Sequence, residues 1–192
     1  MPPSDLVILD RDGVINEDSP DFIRSADAWH PLPGAAEAIA RLHIAGWRIA
    51  VATNQSGIAR GLFDTRALID IHHRMREVIR QAGGRIDHVA FCPHGPEEGC
   101  GCRKPAPGLI HGIEAAFGVP VRGAPFVGDA LRDLGAARAA GCRPILVRTG
   151  KGRQTERELD SETGEGVMVF DDLAAFADYW LGRPGEPGST GG

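Results

Sequence analysis

Leu6-Val7-Ile8-Leu9-Asp10-Arg11-Asp12-Gly13 opens the interpretable part of the chain. Four consecutive apolar residues are too few for a helix, and the run ends abruptly in charge and glycine. It therefore reads as a parallel strand buried on both faces, with Asp10 delivered at its carboxyl end. Downstream, a helical pattern from Pro33-Gly34 to Gly46 carries Ala35, Ala38, Ile39 and Leu42, and Ile49-Ala50-Val51-Ala52 reads as a second buried strand ending at Thr53 and Asn54. An amphipathic stretch from Asp64 to Gln81 presents Leu68, Ile71, Met75, Val78 and Ile79, and closes at Gly83-Gly84 before a strand expected over Ile86 to Phe91.

Strand and helix go on alternating. Helices are expected near 108–117, 130–140 and 173–181, and strands at 125–127, 145–147 and 167–170. This is the pattern of a doubly wound α/β sheet. Lys151 to Gly166 is polar and is expected to be a mobile loop. Residues 183–192 are rich in Gly, Pro and Ser and read as a disordered tail, which leaves a single domain over residues 1–182.

With 192 residues, a net charge of -5 and 42% hydrophobic residues, the composition is that of a globular protein without the broad basic surface that nucleic acid requires. A small anionic substrate suits it better. No apolar run approaches the ~20 residues that span a bilayer, and Met1 to Asp5 lacks the basic and apolar regions of a secretion signal. A cytoplasmic monomer without membrane or nucleic-acid partners is the expectation.

In an open parallel sheet, ligands gather at the carboxyl ends of strands. Three such ends here carry polar clusters: Asp10-Arg11-Asp12, Thr53-Asn54-Gln55-Ser56 and Gly128-Asp129. Aspartate is ionised at neutral pH, and a divalent metal lets it approach a phosphoryl group that would otherwise repel it. Asp10 and Asp129 offer the hard oxygens that magnesium prefers. Asp12, just beyond the strand, suits a general acid that later activates water. The Thr53 hydroxyl, backbone N–H groups and a cation would hold the phosphoryl oxygens. Lys104 is the candidate cation, because only two lysines stand against nineteen arginines and this one lies between Arg103 and Pro105.

A second cluster lies in the loop of residues 92–102. Cys92, His94, Cys100 and Cys102 form a zinc ligand set whose four N/S ligands would close a tetrahedral shell, making the metal structural. A disulfide is the alternative, although Cys100 and Cys102 are too close for an unstrained bond. Cys142 reads as a small core residue. His72 and His73 are expected to face solvent, Trp29, Trp47 and Trp180 to pack in the core or at its rim, and Arg60 to reach an anion or lie exposed.

Asp10-Arg11-Asp12-Gly13, Thr53 after an apolar strand, Lys104-Pro105 and Gly128-Asp129 together resemble the four ordered motifs of the haloacid dehalogenase superfamily of phosphohydrolases. That resemblance implies a three-layer, Rossmann-like sheet. No segment between the motifs is large enough for a separate cap domain. It also implies Asp10 as nucleophile and magnesium ligand, Asp12 as acid/base and as a ligand through its backbone carbonyl, Thr53 and Lys104 as phosphate binders, and Asp129 as a magnesium ligand. Asp133 would hold a metal-bound water or be a solvated charge on a helix face.

The zinc loop before Arg103-Lys104-Pro105 resembles two related groups of bacterial phosphatases within the superfamily. One acts on D-glycero-D-manno-heptose 1,7-bisphosphate and the other on histidinol phosphate. The segment Thr53 to Gly61, with Val147-Arg148-Thr149-Gly150, is more similar to the first, which implies removal of the 7-phosphate on the route to the lipopolysaccharide core sugar. By that resemblance Asp18, Ser19, Pro20, Asp21, Thr53, Asn54, Gln55, Ser56, Arg103, Lys104 and Ala130 line the site for a small phosphorylated sugar. Ala130 departs from the pattern, since lysine can stand there, so only its backbone carries over. Arg103 would bind a second phosphate or sugar oxygens with its planar fork, or be a surface residue. The competing reading of another class is an inactive, zinc-braced phosphate-binding module.

Overall fold

The computed structural model describes residues 5–182; the tail expected over 183–192 lies outside them. Six strands run in chain order: β1 (Leu6–Leu9), β2 (Arg48–Asn54), β3 (His88–Cys92), β4 (Pro125–Gly128), β5 (Arg143–Val147) and β6 (Met168–Phe170). The helices are α1 (Ala35–Ile44), α2 (Thr65–Gln81), α3 (Gly108–Phe117), α4 (Leu131–Ala139), α5 (Gly152–Glu158) and α6 (Leu173–Gly182). All strands pair in parallel, in the order β3-β2-β1-β4-β5-β6.

Period-two side-chain alternation explains why β1 is apolar throughout. Val7 and Leu9 point into a core with Ile39, Ile71, Met75 and Phe176 from α1, α2 and α6. Leu6 and Ile8 point into the opposite core with Ile110, Ile113 and Ala137 from α3 and α4. The result is the expected three-layer doubly wound sandwich.

Helix α2 shows the local chemistry well. The Asp64 carboxylate accepts from the Ala67 N–H at 2.8 Å, capping the first turn, and Leu68, Ile71, Met75 and Ile79 form the buried stripe. No helix among the described residues is long and apolar enough to cross a membrane.

Three expectations change. Lys151 to Gly166 is not a loop throughout, since α5 occupies Gly152–Glu158. Its sequence, Gly-Arg-Gln-Thr-Glu-Arg-Glu, lacks an apolar period, and Thr155, which donates to the Asp129 carbonyl at 2.7 Å, holds it to the sheet. Strand β3 starts two residues later than expected, so Cys92 ends a strand instead of opening a loop. Strand β5 starts two residues earlier, at Arg143.

The strand order reverses between β1 and β4, the topological switch point at which such sheets open a crevice. Leu9 pairs with Val127, and the Asp10 N–H donates to the Val127 carbonyl at 2.9 Å. Asp10 and Asp129 thereby leave neighbouring strands side by side. Gly128 makes this possible: a Cβ there would lie 2.2 Å from the Asp133 Cβ. Gly128→Ala is expected to cost about 3 kcal/mol or more, the upper range for overpacking a core. Gly112→Ala, on the exposed face of α3 with nothing within 4 Å, should instead stabilise by up to ~1 kcal/mol. Urea denaturation of the two variants reads both signs.

Candidate active site

Lys104 organises the crevice from below. Its Nζ lies 2.8 Å from Asp10 Oδ1, 2.8 Å from Asp133 Oδ1 and 2.8 Å from the Ala52 carbonyl oxygen, with all four residues buried. Asn54 fixes the backbone beneath it: the Lys104 N–H donates to Asn54 Oδ1 at 3.0 Å, and Asn54 Nδ2 donates back to the Lys104 carbonyl at 3.1 Å. Burial opposes the charge on Lys104, but Asp10 and Asp133 hold its pKa above the usual lysine range.

Asp133 is not a solvated charge on a helix face. It is buried, and its Oδ2 accepts from the N–H groups of Asp129 at 3.2 Å and Ala130 at 3.0 Å. Ala130 stands at the N-cap of α4 without a polar side chain, and Asp133, in the first turn, reaches back to accept from the N-cap N–H and the N–H before it. Burial works against its ionisation, yet Lys104 and then Arg132 keep its carboxyl below the ordinary range.

Asp10, Asp129 and Asp133 bring carboxylate oxygens within 4.8 Å of one another. Asp129 is held at one oxygen, where Oδ2 accepts from the Lys151 N–H at 2.9 Å, while its buried Oδ1 has no partner. Gly13 and Gly150 press against the same carboxylate, for a Cβ on either would lie 2.1 or 2.2 Å from Asp129 Oδ2. Both have positive φ, 83° and 55°. Burial, then Asp133, pushes Asp10 up to about 6 despite Lys104, and burial followed by Asp10 and Asp133 pushes Asp129 up to about 7. Three buried carboxylates against one ammonium leave excess negative charge, and a free oxygen on Asp129 faces it. That donor set is all hard oxygen and fits a divalent cation such as magnesium.

Asp12 takes a different position. Its carboxylate is turned toward Arg11, whose Nε and Nη2 donate at 3.0 Å each, toward Asn16 Nδ2 at 2.9 Å and toward Gln55 Nε2 at 3.0 Å. Burial alone would raise its pKa, but the Arg11 guanidinium and the two amides hold it below the usual range. Gln55 also donates to the Thr53 hydroxyl at 2.9 Å, tying the ends of β1 and β2 together. Behind Arg11 stands His72, at 3.3 Å from Nη1 and edge-on to Phe91 at 6.2 Å. His72 is thus not solvent-facing: burial, then Arg11 and Arg76, pushes its pKa down to about 3. His73 is exposed.

Above these residues opens a cleft of about 240 Å³. Of the residues expected to line it, Asp10, Asp12, Asp18, Ser19, Pro20, Thr53, Asn54, Gln55, Ser56 and Arg103 do so. Asp21, Ala130 and Lys104 are not in its wall: Asp21 is exposed, Ala130 faces a neighbouring depression, and Lys104 is beneath the floor. Phe22, Ile23, Arg132 and Lys151 complete the wall without having been expected. Phe22 adopts φ 65°, a strained backbone for a bulky residue. Lys151 Nζ pairs with Asp18 Oδ2 at 2.8 Å and bridges the mouth. The signal for Arg132 was present in the sequence, since arginine in the first turn of a helix opposes the helix dipole.

The cysteine loop converges as expected. Sulfur–sulfur distances among Cys92, Cys100 and Cys102 are 3.2–3.6 Å, and His94 Nδ1 lies 3.5 Å from Cys92 and 3.3 Å from Cys102. Zinc with tetrahedral bonds of about 2.3 Å separates its sulfurs by about 3.8 Å, so the cluster is slightly contracted around the volume one ion needs. All four cysteines are free thiols, so no disulfide competes. Cys142 is buried and its thiol donates to the Val121 carbonyl at 3.4 Å, as a core residue would. Arg103 Nη1 donates to the His94 carbonyl at 3.1 Å, which joins the cluster to the cleft wall.

Known proteins resemble this chain over most of its length. A family model described as HAD-hydrolase-like matches residues 101–176. The chain is 54% identical to a D-glycero-beta-D-manno-heptose-1,7-bisphosphate 7-phosphatase of Pseudomonas aeruginosa, over 92% of this chain and 97% of that protein. It is 46% identical to a phosphatase of the same name from Neisseria meningitidis serogroup A, over 95% and 97%. Among solved structures, the D,D-heptose 1,7-bisphosphate phosphatase of Bordetella bronchiseptica, complexed with magnesium and phosphate, superposes with a TM-score of 0.88 at 52% identity, covering 92% of this chain and 98% of that one. Identity at this level over nearly the whole length, on the same sheet and crevice, makes the chain a member of the HAD-like hydrolases, in the family of these heptose bisphosphate phosphatases.

Proposed function

We propose that the protein is a phosphatase that removes the 7-phosphate of D-glycero-D-manno-heptose 1,7-bisphosphate by way of a phosphorylated Asp10. The carrying observation is a buried carboxylate, paired to a buried lysine, at the switch point of a chain more than half identical to phosphatases named for that substrate. The product would feed assembly of the lipopolysaccharide core sugar.

In this reading an Asp10 carboxylate oxygen attacks the 7-phosphorus. A bond forms between Asp10 and phosphorus, and the bond from phosphorus to the sugar oxygen breaks. Asp12 gives its proton to that oxygen. In the free protein Asp12 is held ionised by Arg11, Asn16 and Gln55, so it takes up a proton from solvent when the incoming phosphate places negative charge beside it, which raises a carboxylate pKa. Water then attacks the phosphorus of the acyl phosphate while Asp12 takes its proton, and Asp10 is regenerated. Lys104 and the Thr53 hydroxyl stabilise charge on the phosphoryl oxygens.

Asp10 and Asp129, with the backbone carbonyl of Asp12, are the proposed magnesium ligands. When bound, the ion offsets the repulsion between phosphate and the carboxylates. Asp133 serves as the second anchor of Lys104, with no direct metal contact required. The four ligands of the cysteine loop would hold structural zinc, bracing the turn that presents Arg103 and Lys104.

Three outcomes are expected. With magnesium, purified protein should hydrolyse the heptose bisphosphate with clearly higher catalytic efficiency than histidinol phosphate; the reverse preference overturns the substrate assignment. Asp10→Asn should lower kcat by at least about 10⁴-fold, the scale for loss of a nucleophile, while its circular dichroism stays that of the wild type. Phosphate release surviving that change would rule out the covalent route. Elemental analysis should find about one zinc per chain, lost in Cys100→Ser together with several degrees of Tm. Carefully prepared protein without zinc would contradict the loop assignment.

A further inference from the structure

Three cations line the cleft, and their bonding differs. Arg103 gives Nη1 to the His94 carbonyl, and Lys151 is paired with Asp18. Arg132 is half-buried and makes no hydrogen bond or ion pair with any described residue. Its guanidinium carries five donors in a fixed fork that opens on the cleft, and partial burial works against its charge. Its place in the first turn of α4 adds a second cost, because the helix dipole there repels cations.

The charge that offsets these costs comes from a distance. Asp133, Asp10, Asp129 and Asp18 together keep Arg132 fully ionised, but none pairs with it. A cation held charged and left unbonded in a cleft wall is poised for an anionic ligand. The reacting phosphate already has Lys104, Thr53 and the end of β1. Ala130 offers no cation and faces away from the cleft.

We propose that Arg132 is a specificity-determining residue that binds the non-reacting phosphate of a sugar bisphosphate while the other phosphate sits at Asp10. Its planar fork can take two phosphate oxygens at once, from the cleft wall that also carries Lys151. This rests on the substrate reading given above and narrows it to how the two phosphates are told apart from one.

The test compares catalytic efficiency on D-glycero-D-manno-heptose 1,7-bisphosphate with that on the 7-phosphate lacking the anomeric group, in wild type, Arg132→Ala and Arg132→Lys. The wild type should favour the bisphosphate. In Arg132→Ala the ratio of the two efficiencies should fall by about 10- to 100-fold, the scale of one charged hydrogen-bonding group, chiefly through KM for the bisphosphate. Arg132→Lys should recover part of that ratio, since it restores the charge without the fork. Turnover of the monophosphate by the same variants shows that they are folded. Equal loss on both substrates would overturn the proposal, for Arg132 would then act on the reacting phosphate or on the fold. A wild type that does not distinguish the two substrates would overturn the proposal as well, whereas a wild type that turns over neither would overturn the substrate reading itself.

Discussion

A single ammonium, Lys104 Nζ, sits 2.8 Å from carboxylates on two different elements and 2.8 Å from the Ala52 carbonyl of a third. Asp10 ends β1, Ala52 lies in β2, and Asp133 belongs to α4, so this one charge ties the central strands to the helix that follows β4. Burying three carboxylates without it would be prohibitive: breaking one member out of a buried ion pair costs about 3–5 kcal/mol, because the remaining charge is left uncompensated. The parallel order makes the cluster possible by opening a crevice between β1 and β4, and Gly128, Gly13 and Gly150 make room for it.

The same cluster is incompletely neutralised, and that incompleteness leaves carboxylate oxygen for a ligand. Were Asp10 and Asp129 fully paired within the protein, neither would have an oxygen for a cation or a phosphate. Burial first, and then neighbouring carboxylates, Asp133 for Asp10 and Asp10 with Asp133 for Asp129, push them up to about 6 and about 7. Asp12 has the opposite setting, since Arg11, Asn16 and Gln55 keep it ionised beside the same cleft. Neighbouring carboxylates whose environments push them apart suit the proposed division between nucleophile and proton carrier. The cysteine cluster joins this machinery through Arg103, whose guanidinium reaches the His94 carbonyl, and through the backbone that runs directly into Lys104.

Much of this was legible in the residues. Apolar runs ending in polar or charged clusters marked β1, β2 and β4, because a strand buried on both faces has no polar alternation to confuse it. Cys92, His94, Cys100 and Cys102 lie close enough in sequence for their convergence to follow from loop length. Helix α5 was not legible, since it is polar all round and held by polar contacts, the Thr155 hydroxyl to the Asp129 carbonyl and Glu156 to Arg148. Asp133 and His72 were misjudged for a related reason: helical position says which face a residue lies on, but what covers that face is set by other elements. Arg11 and Phe91 cover His72, and Lys104 covers Asp133, from segments far along the chain. Arg132 and Lys151 escaped notice because each flanks a recognisable motif without belonging to it.

Attack by Asp10 on phosphorus is the central claim, and the stereochemical course of the reaction tests it most directly. A substrate whose 7-phosphate is made chiral with oxygen isotopes, turned over with a suitable acceptor, passes through two in-line displacements if Asp10 is phosphorylated and one if water attacks directly. The account predicts net retention of configuration at phosphorus. Net inversion would contradict it.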